Sequence, residues 1–141
     1  MANYYSSARS NYFLVKDEEA FKKWVKSFGD LSCHPGVGEL FGQYCITVDS
    51  EDIGGWPDVS ITFDELGHAL EKEIDFYQEL SEHLVQGQVA VLLEIGAEKL
   101  RYLVGLAVAV AWDGDTHLVS LNDIYDWVIT NWGAVPSEAS Y

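Results

Sequence analysis

The chain has 141 residues, of which 48% are hydrophobic, and a formal net charge of −15 from 23 acidic and 8 basic side chains. This composition excludes a disordered chain, and the length suits one domain, residues 1–141, with its own core. The charge argues against direct binding to nucleic acid, which requires Lys and Arg to displace counterions, and against binding to an anionic membrane.

Cysteine usage and the amino-terminal residues favour a reducing compartment. Cys33 and Cys45 do not form a disulfide framework, and neither belongs to a pair with the spacing of metal ligands. The first residues contain no basic region followed by an apolar run, so no signal peptide is predicted. These features together predict a cytoplasmic protein.

The first elements in chain order are a strand and an amphipathic helix. An apolar run predicts a strand over Asn11–Lys16. The acids of Asp17–Glu19 then favour a helix start, because carboxylates complement the positive end of the helix dipole. Apolar residues at i, i+3, i+4 and i+7 within Phe21–Phe28 predict the buried side of this helix, and Gly29 ends it. The residues Asp30–Gly38, with one proline and two further glycines, predict a loop.

The middle of the chain predicts two strands and a second helix. Alternating side chains favour a strand over Glu39–Val48, followed by an exposed loop over Asp49–Gly55. Another strand is expected over Trp56–Phe63, with a proline near its start, where a missing N–H is tolerated. Asp64–Lys72 favours an irregular or short helical connection. A helix is predicted over Glu73–Gln86 from its apolar spacing.

The last third predicts a three-stranded antiparallel meander. Two apolar runs, Gln88–Gly96 and Leu100–Trp112, are joined by the glycine-containing connection Gly96–Lys99. The dipeptide Asp113-Gly114 is a strong hairpin signal, because both residues tolerate positive φ, and Asp115–Val119 would be the returning strand. The second run has one face of small residues and one of large residues. This pattern predicts a central strand covered on both sides, with a helix close to the small face.

A third helix is expected after the meander. Ser120 is its predicted N-cap, and Gly133 is predicted to end it. One apolar stripe with the spacing i, i+3, i+4, i+7 and i+11 marks its buried side: Leu121, Ile124, Tyr125, Val128 and Trp132. The element order is therefore β-α-β-β-α-β-β-β-α. It predicts an α+β fold with a mostly antiparallel sheet of five to six strands and three helices packed on it.

Charge is concentrated in the middle of the chain. Residues 49–82 contain eleven acids and one lysine, a net charge of −10, whereas residues 1–48 are neutral. Asp75, Glu79 and Glu82 fall at i, i+4 and i+7 of the predicted helix and would form a carboxylate ridge. Such a face keeps the protein soluble, binds a basic partner or forms a cation site. The predicted partner contacts are Asp49, Glu51, Asp52, Trp56, Asp58, Asp75, Glu79 and Glu82.

Sites for chemistry are weakly supported. There is no phosphate-binding glycine loop, no serine nucleophile elbow and no zinc-protease motif, so no catalytic residue, cofactor or metal ion is predicted. Asp113–His117 offers two carboxylates and an imidazole, but a turn explains its Asp-Gly pair and EF-hand spacing is absent. Cys33 with His34 would need a base that the fold brings close. Both remain alternatives.

Two segments resemble a family of small acidic proteins carried on phages, plasmids and other mobile elements. The first is Ala2–Phe13, continuing through Val15–Asp17 and on to Trp24; the second is Gly96–Tyr102, continuing to the start of the last helix. The resemblance implies no catalytic residues. Because mobile elements often encode acidic inhibitors of host defences, it implies an anti-restriction or anti-CRISPR protein that mimics DNA.

These observations lead to one main hypothesis and two alternatives. The main hypothesis is a binding protein without catalytic activity, which presents its carboxylates to a basic, nucleic-acid-binding host protein. A structural or regulatory module, including a homodimer that uses its aromatic surface, is the first alternative. An enzyme that uses Cys33 and His34, or the residues Asp113–His117, is the second.

Overall fold

A computed structural model describes residues 4–49, 55–57, 59–63, 65–98 and 102–137. The strands are β1 (Tyr4–Ser10), β2 (Leu31–Pro35), β3 (Tyr44–Val48), β4 (Val59–Phe63), β5 (Ala69–Glu73), β6 (Val89–Glu98), β7 (Tyr102–Ala111) and β8 (Thr116–Ser120). The helices are α1 (Glu18–Lys26), α2 (Phe76–His83) and α3 (Asp123–Trp132), and a single 3₁₀ turn covers Gly38–Leu40.

Six of the strands form one antiparallel sheet with the order β2-β3-β1-β6-β7-β8, and β4 and β5 form a separate antiparallel hairpin. The α+β class with a mostly antiparallel sheet and three helices is therefore confirmed. The predicted meander is its carboxyl-terminal half. β6 and β7 pair from Val89 and Ala111 to Glu98 and Tyr102, so the strands extend into the predicted connection. Residues 99–101 lie outside the described part of the chain.

The core lies on the face of the sheet that α1 and α2 cover, called here the helical face. α1 presents Phe21 and Val25 to it, and α2 presents Phe76 and Leu80. Aromatic rings meet edge to face, as Phe13 and Phe21 do at 5.8 Å between ring centroids. Fully burying a large apolar side chain contributes about 1.5–3 kcal/mol, so this single layer supplies the main stabilisation of the fold.

β7 is covered on one side rather than on both. Its large residues Val108 and Val110 are 1% and 0% exposed and belong to the core. Its small residues, Gly105 among them, are half-buried on the opposite face, called here the outer face. The prediction that both faces are covered is therefore wrong for the small face. The small residues reflect a close approach at one end only, where the side chain of Leu121 lies over Gly105.

The helix ends follow the predicted signals in part. Asp17 caps α1, because its carboxylate accepts from the backbone N–H of Ala20 at 3.2 Å. Gly133 ends α3 in the left-handed conformation, with φ of 65°. Ser120 is not the N-cap of α3 but the last residue of β8. Its backbone N–H donates to the Asp123 carboxylate at 2.8 Å, so the acid in the first turn holds the strand end against the helix start.

The first strand is displaced from its predicted position. The structure places β1 at Tyr4–Ser10, and the predicted strand Asn11–Lys16 makes only isolated bridges, from Phe13 to Tyr44 and from Val15 to Leu84. The sequence of β1 contains three serines and an arginine, so it lacks the apolar run by which a strand is predicted. Its strand state comes from pairing with β6 and β3, and such tertiary pairing overrides local preference.

Three other boundaries differ from the prediction. The predicted loop over Asp30–Gly38 contains β2, an edge strand that ends at Pro35, where the missing N–H costs no ladder bond. β3 starts later than expected, because a 3₁₀ turn and Gly42, with φ of 90°, precede it. β4 likewise begins at Val59 rather than at the start of its predicted run.

The second predicted helix, Glu73–Gln86, is shorter at both ends. Its first residue belongs to β5, which occupies part of the predicted irregular connection. Asp75 caps α2 by accepting from the backbone N–H of Gln78 at 3.1 Å, which fixes the helix start. Leu84 has extended backbone and bridges to Val15, which fixes the helix end.

Candidate interaction surface

The structure describes five of the eight predicted partner contacts. Asp75, Glu79 and Glu82 lie on or beside α2, Trp56 lies in the segment before β4, and Asp49 follows β3. The other three, Glu51, Asp52 and Asp58, lie outside the described residues. α2 and its N-cap residue therefore carry three of the five described contacts.

The predicted carboxylate ridge on α2 has members in three different environments. Asp75 is exposed, and one carboxylate oxygen is used in capping the helix. Glu82 is exposed one residue before the carboxyl-terminal end of α2. Glu79 is half-buried and turns towards α1. Asp75 and Glu82 are thus open to a partner, whereas Glu79 already has a role within the fold.

Glu79 is tied to the aromatic cluster between the two helices. Its Oε1 accepts a hydrogen bond from Nε1 of Trp24 at 3.0 Å. The Trp24 ring stacks on Phe76, with 5.1 Å between ring centroids and an interplanar angle of 18°. The indole of α1 thus packs on α2 through its face and donates to α2 through its N–H. This is the arrangement a buried Trp requires, because its one donor needs an acceptor.

His83 occupies the end of α2 beside the start of α1. Its ring contacts Phe21 and Trp24, at 5.8 and 4.9 Å between centroids. Burial lowers the pKa of His83 below its usual value, and Lys16 also lowers it, while Glu82, Glu79 and Asp17 act in the opposite direction. Desolvation is the largest of these influences. His83 is therefore neutral at pH 7 and leaves the surrounding carboxylates uncompensated.

Further acids, which the charge count did not single out, lie at the start of α1. Asp17, Glu18 and Glu19 are all exposed, and the chain at Lys16 is joined to the end of α2 through its N–H, which donates to the carbonyl of His83 at 2.9 Å. Residues 1–48 are neutral in sum because five bases balance five acids, and three of those bases follow the acids on the same helix. The position of these acids in the first helical turn is the sequence signal that could have identified them, because it separates them along the helix axis from the bases of the later turns.

One of those bases contacts an aromatic residue of the sheet. Nζ of Lys22 lies 5.3 Å from the ring centroid of Tyr44. A hydrogen bond with Tyr44 is the main cause that raises the pKa of Lys22, and Glu18 and Glu19 raise it less. Lys22 therefore remains charged, and its interaction is directed chiefly at the sheet residue.

Asp49 belongs to a different part of the molecule. Its carboxylate accepts from the hydroxyls of Ser32 and Thr47, and its N–H donates to the carbonyl of Asp30 at 2.7 Å. These contacts close the β2–β3 hairpin. β3 is three strands from β7, on which α2 packs, a separation of about 14 Å at the usual strand spacing. The structure therefore does not place Asp49 on the same ridge as Asp75.

Trp56 is an anchor of its own segment. Its ring stacks on Phe76, with 6.0 Å between centroids and an interplanar angle of 17°, and it packs against the core. Its Nε1 is buried and has no hydrogen-bond partner among the described residues. Beside it, a Cβ at Gly55 would lie 3.1 Å from Oε1 of Glu94, so the segment passes close to β6.

The two alternatives for chemistry gain no geometric support. Cys33 and His34 are adjacent in β2, so their side chains point to opposite faces. His34 pairs with Thr47 at 2.9 Å, and burial, the largest influence, raises the pKa of the Cys33 thiol, which disfavours a thiolate nucleophile.

The Asp113–His117 segment contains the turn before β8 and the first two residues of that strand, and its carboxylates accept hydrogen bonds from its own backbone. Asp113 accepts from the N–H of Asp115, and Asp115 accepts from the N–H of Thr116, each at 3.1 Å. Within the described ranges, no group of three or more His, Cys, Asp or Glu side chains is placed to hold a metal ion.

Comparisons with protein-family models, with curated proteins and with solved structures find no significant match for this chain. None of the helices within the described ranges is both long enough and apolar enough to cross a membrane.

Proposed function

We propose that this protein is a non-enzymatic binding protein that presents carboxylates to a basic, nucleic-acid-binding partner. The acids on and around α2 would occupy positions that phosphates take in the partner's groove. The observation that carries the proposal is the exposure of Asp75 and Glu82 on one short helix, beside the exposed acids at the start of α1. The net charge of −10 over residues 49–82 supports it.

Electrostatics gives such a surface a clear mode of action. A partner that binds nucleic acid has Lys and Arg arranged for phosphates, so a fixed set of carboxylates competes for the same contacts. The large net charge increases the rate of encounter at low salt, and the fixed positions of the carboxylates give specificity. His83, neutral at pH 7 because its pKa is lowered, does not offset this field.

The resemblance to mobile-element proteins suggests the biological class of the partner. A nuclease or surveillance complex of a host defence system holds nucleic acid in a basic channel, and an acidic protein seated there would block it. We therefore expect the protein to inhibit nucleic-acid binding by the defence protein and, as a result, to prevent cleavage.

The test is a pull-down from a bacterial lysate in the presence of a competitor duplex DNA. The variant removes three charges but keeps hydrogen-bond acceptors: Asp75→Asn, Glu79→Gln and Glu82→Gln. The matched control removes three acids elsewhere: Glu39→Gln, Asp115→Asn and Asp126→Asn. Both variants have a net charge of −12 at pH 7, so any difference between them reports position rather than total charge.

We expect mass spectrometry to identify nucleic-acid-binding proteins that duplex DNA displaces from the bait. The α2 variant should lose them, and the control should retain them. Recovery of proteins that duplex DNA does not displace, or equal recovery with both variants, would contradict the proposal.

A further inference from the structure

The outer face of the sheet carries exposed apolar side chains. Strand pairing places Leu93 of β6 beside Ala107 of β7, and Ala107 beside Val119 of β8; Ile95 pairs with Gly105. The exposed fractions are 45% for Leu93, 65% for Ile95 and 44% for Val119. The alternate residues of β6 and β7, such as Leu92 and Val108, belong to the core on the helical face, whereas Leu118 of β8 is exposed there. β6 and β7 are therefore largely apolar on both faces, and His117 of β8 borders Ala109 on the outer face.

The outer face has the shape of a groove. β7 contributes only small residues to it, while β6 and β8 contribute larger ones, so β7 forms the floor and its neighbours form the walls. The outer groove is defined by Leu93, Ile95, Gly105, Ala107, Ala109 and Val119. Its walls are two strand spacings apart, about 9.5 Å between the axes of β6 and β8.

The helix α3 has an apolar stripe that its own chain leaves mostly exposed and covers in part only at Tyr125 and Val128. None of its residues is buried. Along the stripe, Leu121 and Ile124 are each 56% exposed, and Trp132 is 71% exposed. Val128, in the middle of the stripe, is half-buried. The ten residues of α3 are about 15 Å long, and four outer-face positions of β7 span about 20 Å, so the helix is short enough for the groove.

The groove and the stripe are continuous at one end. The N–H of Leu121 donates to the carbonyl of Gly105 at 2.9 Å, and its side chain covers Gly105, so a Cβ there would collide with it. The chain thus leaves the end of the groove directly into α3. The groove and the first residue of the stripe therefore meet at this end of the sheet.

Their combined area matches what a stable dimer requires. The exposed parts of the groove walls and of the stripe and its neighbour Trp127, which is 48% exposed, amount to on the order of 800 Å² per chain. A standard-size interface takes about 800 Å² from each partner, and a monomer rarely exposes an apolar patch above about 600 Å².

We propose that two copies of this chain associate, each placing α3 in the outer groove of the other. One two-fold operation covers both unpartnered surfaces of both chains. None of the residues that define the groove or the stripe is charged, so two molecules of net charge −15 can meet there without bringing carboxylates together. This proposal is independent of the function proposed for the helical face.

The first test is the mass of the protein in solution between about 1 and 100 μM, the range in which interfaces of this size begin to associate. We expect sedimentation to give twice the 15.8 kDa of one chain. Association should be unchanged or stronger at high salt, because salt screens the repulsion between two acidic chains. A wild-type protein that remains monomeric throughout this range overturns the proposal.

Paired variants on α3 test the surface. Val128→Lys lies in the stripe, and Thr130→Lys lies on the opposite side of the same helix, so each adds one positive charge. Since either lysine lowers the net negative charge, loss of the dimer cannot come from added repulsion. We expect Val128→Lys to yield monomer and Thr130→Lys to retain the dimer. A dimer that Val128→Lys leaves intact overturns the proposal.

A mixing experiment tests the exchange of helices. Ala107→Lys blocks the groove, and circular dichroism establishes that this variant folds. Alone, it and Val128→Lys should each be monomeric. When the two variants are mixed, they should form a heterodimer that is weaker than the wild-type dimer. Only one of its two contacts, the α3 of Ala107→Lys in the groove of Val128→Lys, is intact. Absence of that heterodimer overturns the exchange, as does strong protection of α3 amides from hydrogen exchange in a monomeric wild-type chain, which would show α3 docked on its own groove.

Discussion

The hydrogen bond between Trp24 and Glu79 allows a quantitative test of whether this acid is part of the fold. In Glu79→Ala the indole N–H loses its acceptor in a half-buried position. A hydrogen bond to a charged group contributes about 1.5–3 kcal/mol when it is buried, and half-burial places the expected loss at the lower end, about 1.5 kcal/mol. Glu79→Gln retains an acceptor and should lose about half as much.

The assay is urea unfolding followed by tryptophan fluorescence. With a slope of about 1–3 kcal/mol per molar urea, Glu79→Ala should lower the midpoint by about 0.5–1.5 M without changing the slope. The exposed neighbour Glu82→Gln is the control and should change stability by less than about 0.5 kcal/mol.

A double-mutant cycle isolates the pair. Trp24→Phe also loses stacking on Phe76, but the cycle with Glu79→Ala cancels that loss and should give a coupling of about 1 kcal/mol. The reasoning is refuted if the two substitutions are additive, or if Glu79→Ala is indistinguishable from Glu82→Gln.

Three further predictions concern a cap, a histidine and a glycine. Asp75→Ala should lower the free energy of unfolding by about 1 kcal/mol, because the N–H of Gln78 loses its cap, while Asp75→Asn should be nearly neutral in the same urea assay. The lowered pKa of His83 means that the unfolded chain binds more protons below its usual pKa of about 6.5, so stability should be complete above that pH and fall as acid is added; His83→Gln should flatten this part of the pH profile in thermal unfolding. Gly105→Ala should destabilise the protein through a clash with Leu121, and Leu121→Ala should relieve part of that loss in the double variant. An additive double variant would contradict the contact.

The parts of the fold that could be predicted are those specified by neighbours in sequence. The helix α1 has its acids, its apolar spacing and its capping Asp17 within a dozen residues, and the Asp113-Gly114 turn joins two strands that pair at once. β1 could not be found in this way. Its pairing residues, such as Ala8 with Glu94, are far apart along the chain, and only the folded sheet supplies the apolar surroundings that its own sequence lacks.

The candidate surface was predictable as composition but not as geometry. The spacing of Asp75, Glu79 and Glu82 correctly places them on or beside one helix. It does not predict the direction in which each carboxylate side chain points. Glu79 turns inward because Trp24, fifty-five residues earlier, needs an acceptor. In the same way the stripe on α3 indicates an apolar side, but periodicity does not say whether its own chain or a second copy covers it.

The two proposed surfaces lie on opposite faces of one sheet, and this arrangement makes their salt dependence opposite. The helical face carries the acids around α2, so its binding to a basic partner should weaken as salt rises. The residues that define the outer groove carry no charge, but the two chains that meet there are both acidic and repel each other. Salt screens this repulsion, so association through the groove should persist or strengthen as salt rises. A dimer formed through the outer groove also leaves both helical faces pointing outward, which would present two acidic surfaces to partners at once. A salt titration of both equilibria on one preparation therefore separates the two surfaces without any mutation, and a parallel response of both would contradict the assignment of charge to one surface alone.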